Sequence, residues 1–131
     1  MRVRVLLVDD QAAFRRAAAR VLARLPEFEL VGEIETGEAS IEAARRLEPD
    51  LVLMDIHLPG IDGLEATRRI LAETRSTAWR PVVFLLSTYE AADFAAHAAA
   101  CGAAAYLPKA EFGAITLSAA WNGSTRSPSA G

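Results

Sequence analysis

The chain has 131 residues, 52% of them hydrophobic and 24% charged, with a formal net charge of -3 and a single cysteine. That is the size of one domain, and the acidic balance argues against a nucleic-acid binder, whose surface carries excess Lys and Arg. No apolar run is long enough to span a bilayer, and Cys101 has no second cysteine for an internal disulfide, which suits a reducing cytoplasm and reads as a small buried hydrophobe.

The N-terminal stretch MRVRVLLVDD meets two aspartates before it reaches signal-peptide length, and reads as a first strand over Val3 to Val8. Phe14, Ala17, Ala18, Val21, Leu22 and Leu25 then recur at helical spacing, with Arg15, Arg16, Arg20 and Arg24 mostly elsewhere on the wheel. Phe28 to Ile34 is a second strand, and Gly37 to Leu47 a helix with Ile41, Ala44 and Leu47 on one side. Leu51 to Met54 is a third strand. Asp62 and Glu65 are placed as N-cap and capping-box partner of a helix over Gly63 to Thr74. Arg75 to Arg80 reads as an exposed loop, and Val82 to Leu86 as a fourth strand. An alanine-rich fourth helix is expected over Glu90 to Cys101, closed by Gly102, with Phe94 its only large apolar residue, so it should pack lightly. Ala103 to Leu107 is a fifth strand, and a last helix lies within Ala110 to Trp121, where Ile115, Leu117 and Trp121 loosely share a face. Residues 122–131, NGSTRSPSAG, have the composition of a flexible tail after a domain over residues 1–121.

Continuous apolar strands alternating with helices describe an α/β fold, a doubly wound parallel sheet of five strands with five helices. Such sheets place their ligands beyond the carboxyl ends of the strands. There the sequence puts Asp9 and Asp10 after the first strand, Asp55 after the third, Ser87 and Thr88 after the fourth, and Lys109 after the fifth. Two unit charges about 4 Å apart at an effective dielectric near 20 repel by roughly 4 kcal/mol, so three carboxylates gathered there need cations. Lys109 offsets part. A hard, oxygen-loving Mg2+ suits the remainder, and no Cys or His cluster has zinc spacing. Metal, lysine, hydroxyl and spare carboxylate together are the parts of phosphoryl transfer, with Asp55 as nucleophile, Lys109 and Ser87 on the phosphoryl oxygens. Each residue alone also has a plain structural reading: Asp9, Asp10 or Ser87 as a helix cap, Lys109 as surface.

LLVDD (6–10), LVLMDIHLPGIDG (51–63), the Ser87 that ends FLLS, and YLPK (106–109) together resemble the receiver domain of two-component response regulators, over essentially residues 2 to 121. Within that family the chain is most similar to receivers of the LuxR/NarL-type helix-turn-helix regulators. The resemblance implies a flavodoxin-like sheet of order 2-1-3-4-5, Asp55 as phosphoacceptor, and a histidine kinase or histidine phosphotransfer protein as donor. It implies Mg2+ on Asp10, Asp55 and the backbone carbonyl of His57, with Asp9 acting directly or through water. It further implies that Ser87 and Tyr106 switch on phosphorylation, reshaping the face of the fourth helix, fifth strand and fifth helix, the expected surface for partners or a homodimer. Thr88 stands where alanine or glycine is common, and Lys109 is followed by Ala110 and not proline. His57 and Tyr89 occupy positions that tune hydrolysis in the family, while His97 reads as surface.

Three competing readings are weaker. A haloacid-dehalogenase-like phosphatase wants an aspartate two residues after the nucleophile, where His57 stands. An FMN binder wants glycine or hydroxyls after the first strand, where DDQAA is acidic. A phosphorylation-independent protein-binding module keeps the fold and finds support in the bulk of Thr88. Nothing after Trp121 provides a helix pair for DNA, so direct nucleic-acid contact by this chain is not expected, and transcriptional output would need partners or further sequence.

Overall fold

The computed structural model describes residues 2–74, 78–88 and 100–125. Its strands are β1 (Val3–Val8), β2 (Phe28–Ile34), β3 (Leu51–Asp55), β4 (Val82–Ser87) and β5 (Ala105–Pro108), joined in one parallel sheet of order β2-β1-β3-β4-β5. Helices α1 (Ala12–Ala23), α2 (Gly37–Leu47) and α3 (Gly63–Glu73) follow the first three strands, and a C-terminal helix covers Ala114–Thr125. Most of the helix expected over Glu90 to Cys101 lies outside the described residues, as do Tyr89, Phe94 and His97. Its last residues, Ala100 and Cys101, are helical, and Gly102 follows with φ +98, the left-handed C-cap that glycine adopts without strain. No helix among the described residues is long and apolar enough to cross a membrane.

The continuous apolar strands bury both faces, and their side chains sort by the strand period of two. Leu6, Val8, Val52, Met54, Val83 and Leu85 form one layer with Ala43 and Ala44 of α2 and Ala66 and Ile70 of α3. Val5, Leu7, Leu51, Leu53, Phe84 and Leu86 form the other with Ala18 and Leu22 of α1 and Leu117 of the C-terminal helix. Each fully buried Leu or Phe is worth about 1.5–3 kcal/mol over its exposed state, so these two layers are the main favourable term of the fold.

β3 and β4 each run one residue further than expected, to Asp55 and Ser87, and α3 ends one earlier, at Glu73; three larger departures have local reasons. β5 begins at Ala105, because the turn at Gly102 consumes the next two residues and Ala104 N–H donates to the Val83 carbonyl at 2.8 Å before strand pairing starts. In the expected exposed loop before Pro81, Ala78 and Arg80 are exposed but Trp79 is half-buried, since its indole packs on the core and donates to the Pro49 carbonyl at 2.6 Å; residues 75–77 lie outside the described residues. The C-terminal helix runs four residues past Trp121, so the boundary expected at residue 121 falls inside it. Trp121 packs edge-on to Phe28 with centroids 6.2 Å apart, and Ser124 Oγ donates to the Trp121 carbonyl at 2.8 Å, which anchors and extends the helix over residues read as tail. Within that helix Leu117 is buried whereas Ile115 is 86% exposed, so the two do not share a face.

Parallel register brings the strand ends to one edge: Val8 pairs with Met54, Asp55 with Leu86, and Ser87 with Pro108. Asp9, Asp55, Ser87 and Lys109 therefore leave the sheet side by side. α3 packs against this edge through Gly63, whose N–H donates to the Ile56 carbonyl at 2.8 Å; a Cβ there would lie 2.1 Å from the Asp55 carbonyl oxygen. Gly63→Ala is expected to cost roughly 2–4 kcal/mol in urea unfolding, because the obstacle is backbone and cannot rotate away. A loss under about 0.5 kcal/mol would show that the helix start does not bear on the acceptor strand.

Candidate functional site

Asp9 is fully buried and Asp55 is 3% exposed, while Asp10 faces solvent. One carboxylate oxygen from each lies within 4.8 Å of the other two. Lys109 reaches in from the end of β5, its Nζ 2.6 Å from Asp9 Oδ2 and 3.4 Å from Asp55 Oδ2. Asp9 Oδ2 takes this ion contact without a well-aligned hydrogen bond. With Gln11, His57 and Thr88, the residues Asp10, Asp55 and Lys109 line an open cavity of about 180 Å³.

Local hydrogen bonds hold the acids in place. Gln11 N–H donates to Asp9 Oδ1 at 2.8 Å, so Asp9 turns back on its own loop and does not cap α1, whose N-cap is Gln11 with no side-chain cap. Arg15 donates to the Asp9 carbonyl at 2.6 Å and pairs with Glu33 at 3.4 Å, tying the β1–α1 loop to β2. His57 N–H donates to Asp55 Oδ1 at 3.2 Å. The loop between β3 and α3 turns at Gly60, φ +78, and Glu38 on α2 accepts the Ile61 N–H at 3.1 Å. Hydrogen bonds from its own backbone and from Ile61 hold the Glu38 carboxyl below the usual carboxylate range.

Burial pushes the Asp55 carboxyl up to about 6, and the neighbouring Asp9 adds to the shift; Lys109 and the His57 N–H oppose it without cancelling it. Three carboxylates against one ammonium leave a deficit of two positive charges. The donor set is oxygen only, hard and carboxylate-rich, and so fits Mg2+. Ser87 is buried at the end of β4, and Thr88 is exposed on the cavity wall. Tyr106 is half-buried on β5 opposite Leu85, packed on the layer that faces α2 and α3.

The structure thus gathers Asp9, Asp10 and Asp55 with oxygens within 4.8 Å of one another and sets Lys109 against Asp9 and Asp55, with His57 joined through its backbone. It also recruits residues that composition and spacing did not single out. Gln11 Oε1 accepts from Lys109 Nζ at 3.2 Å, and the Phe14 ring lies 4.7 Å from that Nζ. Phe14 announces itself in the sequence only as one apolar position of an amphipathic helix, and Arg15 only as a charged one. Their distance from Asp9 and Lys109 depends on how α1 docks, which periodicity does not encode.

Residues 5–120 match the family of response regulator receiver domains. The chain is 39% identical over 107 residues to the response regulator GacA of Pseudomonas viridiflava, covering 82% of this chain and 48% of that protein. It is 34% identical over 108 residues to the transcriptional regulatory protein DegU of Brevibacillus brevis, covering 82% of this chain and 44% of that one. The chain therefore spans under half the length of these curated relatives. Among solved structures, a LuxR-family two-component response regulator from Aurantimonas sp. SI85-9A1 superposes with a TM-score of 0.84 at 28% identity, over 95% of this chain and 86% of that one. The sheet order, the acid cluster facing a strand-end lysine and these matches converge: the chain belongs to the response regulator receiver domains, the signalling modules of two-component systems.

Proposed function

We propose that Asp55 accepts a phosphoryl group from a phosphohistidine on a histidine kinase or histidine phosphotransfer protein. One observation carries this reading: a nearly buried carboxylate at a strand end, opening on a polar cavity, with a lysine ammonium 3.4 Å away and a charge deficit around it. In the transfer an Asp55 carboxylate oxygen bonds to phosphorus as the phosphorus–nitrogen bond of the donor breaks, and the imidazole leaves and takes up a proton. Lys109 would meet one incoming phosphoryl oxygen once it shares its charge away from Asp9, and the Ser87 hydroxyl would donate a hydrogen bond to a second. Mg2+ would be held by Asp10, Asp55 and the His57 carbonyl, with Asp9 directly or through water, and would neutralise the charge of the transferring group.

The phosphorylated state favours a second arrangement of the domain, with Ser87 drawn toward the phosphoryl group and Tyr106 turned into the space it leaves. Shifting such an equilibrium from 1:99 to 99:1 takes roughly 5.5 kcal/mol of differential interaction, which charge-assisted contacts from Lys109, Ser87 and the metal are of the right order to provide. The altered surface around β5 and the helices beside it is the proposed contact for a partner or a second copy, in the cytoplasm. Thr88 on the cavity wall is the one feature that favours a phosphorylation-independent binding module instead.

Acetyl phosphate with Mg2+ followed by intact mass measurement separates the two. One labile phosphoryl adduct is expected on the wild-type chain and none on Asp55→Asn; no adduct on either supports the inert module. A thermodynamic consequence is independent of transfer. Because the Asp55 carboxyl sits at about 6, above its ordinary value of 3.8, the folded metal-free protein holds this proton more tightly than the unfolded chain. Stability therefore falls as pH rises from about 4 to about 6 and stays lower above, by roughly 2–3 kcal/mol. Asp55→Asn removes that penalty, so in denaturant unfolding without Mg2+ it should exceed wild type by this amount at pH 8 and match it at pH 4. A difference independent of pH would reject the buried-charge explanation.

A further inference from the structure

Among the described residues the Lys109 ammonium group has three oxygen neighbours and one that is not oxygen. Nζ meets Asp9 at 2.6 Å, Gln11 Oε1 at 3.2 Å and Asp55 at 3.4 Å; the fourth neighbour is the Phe14 ring, 4.7 Å from Nζ to its centroid. We infer that Phe14 is a positioning residue for the reaction: the face of its ring holds the Lys109 ammonium between the two buried carboxylates, within reach of a phosphoryl group on Asp55. This rests on the phosphoacceptor reading and adds to it a residue that carries no polar atom.

The physical need for such a residue is plain. A lysine side chain has four rotatable carbons and gives up up to about 2 kcal/mol of rotamer entropy when pinned, and Asp9, nearer than Asp55, pulls the ammonium off the acceptor. A cation within about 6 Å of a ring centroid is attracted by the ring quadrupole, and the attraction grows when water is excluded. The Lys109 side chain is only 8% exposed, so this contact belongs to the desolvated class. The ring is itself held. Phe112 meets Phe14 edge-on with centroids 5.6 Å apart and planes at 61°, the arrangement in which the positive edge of one ring meets the negative face of the other. Phe112 stands at the end of the 3-10 turn that starts at Lys109, and its N–H donates to the Lys109 carbonyl at 3.2 Å. The turn thus folds the Lys109 side chain over one part of Phe14 and the Phe112 ring against another. α1, which carries Phe14, and the segment leading into the C-terminal helix are joined through the ammonium group at the site.

Phe14 and Phe112 also pack against the core layer on that side of the sheet, and a residue that only filled space there would be indifferent to ring electronics. The test uses that difference. Phe14 in the full chain is replaced by 4-fluoro-, 3,5-difluoro- and pentafluorophenylalanine, which keep the shape and progressively drain the ring face. Phe14→Tyr keeps the ring and Phe14→Leu removes it. Two quantities are read: the rate of phosphorylation by acetyl phosphate at saturating Mg2+, and the ring-current shift and order parameter of the Lys109 ε-methylene by NMR.

The rate should fall step by step along the fluorinated series, by roughly tenfold at its end and in Phe14→Leu, while Phe14→Tyr stays within about twofold of wild type. The Lys109 ε-methylene should be shifted upfield and rigid in wild type, and become mobile in the pentafluoro and Leu variants. Fluorinated variants that react at the wild-type rate with an ordered Lys109 would overturn the proposal, as would equal losses in Leu and Tyr, which would mark packing alone. If wild type itself takes no phosphoryl group, the phosphoacceptor reading fails separately, and Lys109 order across the fluorinated series then decides whether the ring holds the ammonium.

Discussion

Asp9 and Asp55 lie almost wholly out of water with one ammonium group between them, and the charge left over governs what this edge of the sheet is for. Carboxylates with oxygens within 4.8 Å repel by roughly 3–4 kcal/mol per pair at an effective dielectric near 20. A fold that needed only stability would have placed apolar residues there, as it does from Val5 to Val8 and from Leu51 to Met54. Lys109 meets part of the charge, while burial, with the neighbouring Asp9 adding to it, pushes the Asp55 carboxyl up to about 6. On the proposed reading a metal ion and a phosphoryl group complete the site, and the binding free energy released there would be available to move the domain between two arrangements.

The scaffold makes this tolerable by rigidity. Asp55 ends a strand in which every residue is buried, Gly63 brings the start of α3 onto its backbone, and Glu38 holds the intervening loop from α2. On the other side Arg15 grips the Asp9 carbonyl and ties it to β2. The acids are therefore held by backbone geometry that the two hydrophobic layers enforce, whereas Lys109 reaches them on a long flexible side chain. That asymmetry makes the surroundings of the lysine, Gln11 and Phe14 included, the natural place for the site to be tuned.

Much of this was legible in the residues themselves. The strands β1 and β2 and the helix α2 lie where their apolar runs and caps put them: Val5 to Val8 of β1 are buried on both faces, which leaves little freedom of register, β2 pairs along it at the sheet edge, and Thr36 caps α2. Asp62 caps α3 with Oδ1 accepting from Glu65 N–H at 2.8 Å, the N-cap half of the expected capping box, while the Glu65 carboxylate pairs with Arg68 and Arg69. The strand-end acids and Lys109 were identifiable because parallel topology alone carries them to one edge. Contacts between elements were not legible. Nothing in the spacing of α1 says that Phe14 meets Lys109, 95 positions away, or that Arg15 turns to the Asp9 carbonyl. The C-terminal helix was blurred for a different reason: its apolar residues fall on no single stripe, and its extension past Trp121 depends on that ring finding Phe28 across the sheet.

The most direct measurement is the titration of the Asp55 side-chain carboxyl by carbon-13 NMR, with and without Mg2+. A midpoint near 6 in metal-free protein that drops well below the ordinary carboxylate range at saturating Mg2+ is the expected result. A midpoint near about 4 that ignores the ion would contradict it, because the carboxylates would then carry no uncompensated charge for a metal and a phosphoryl group to meet.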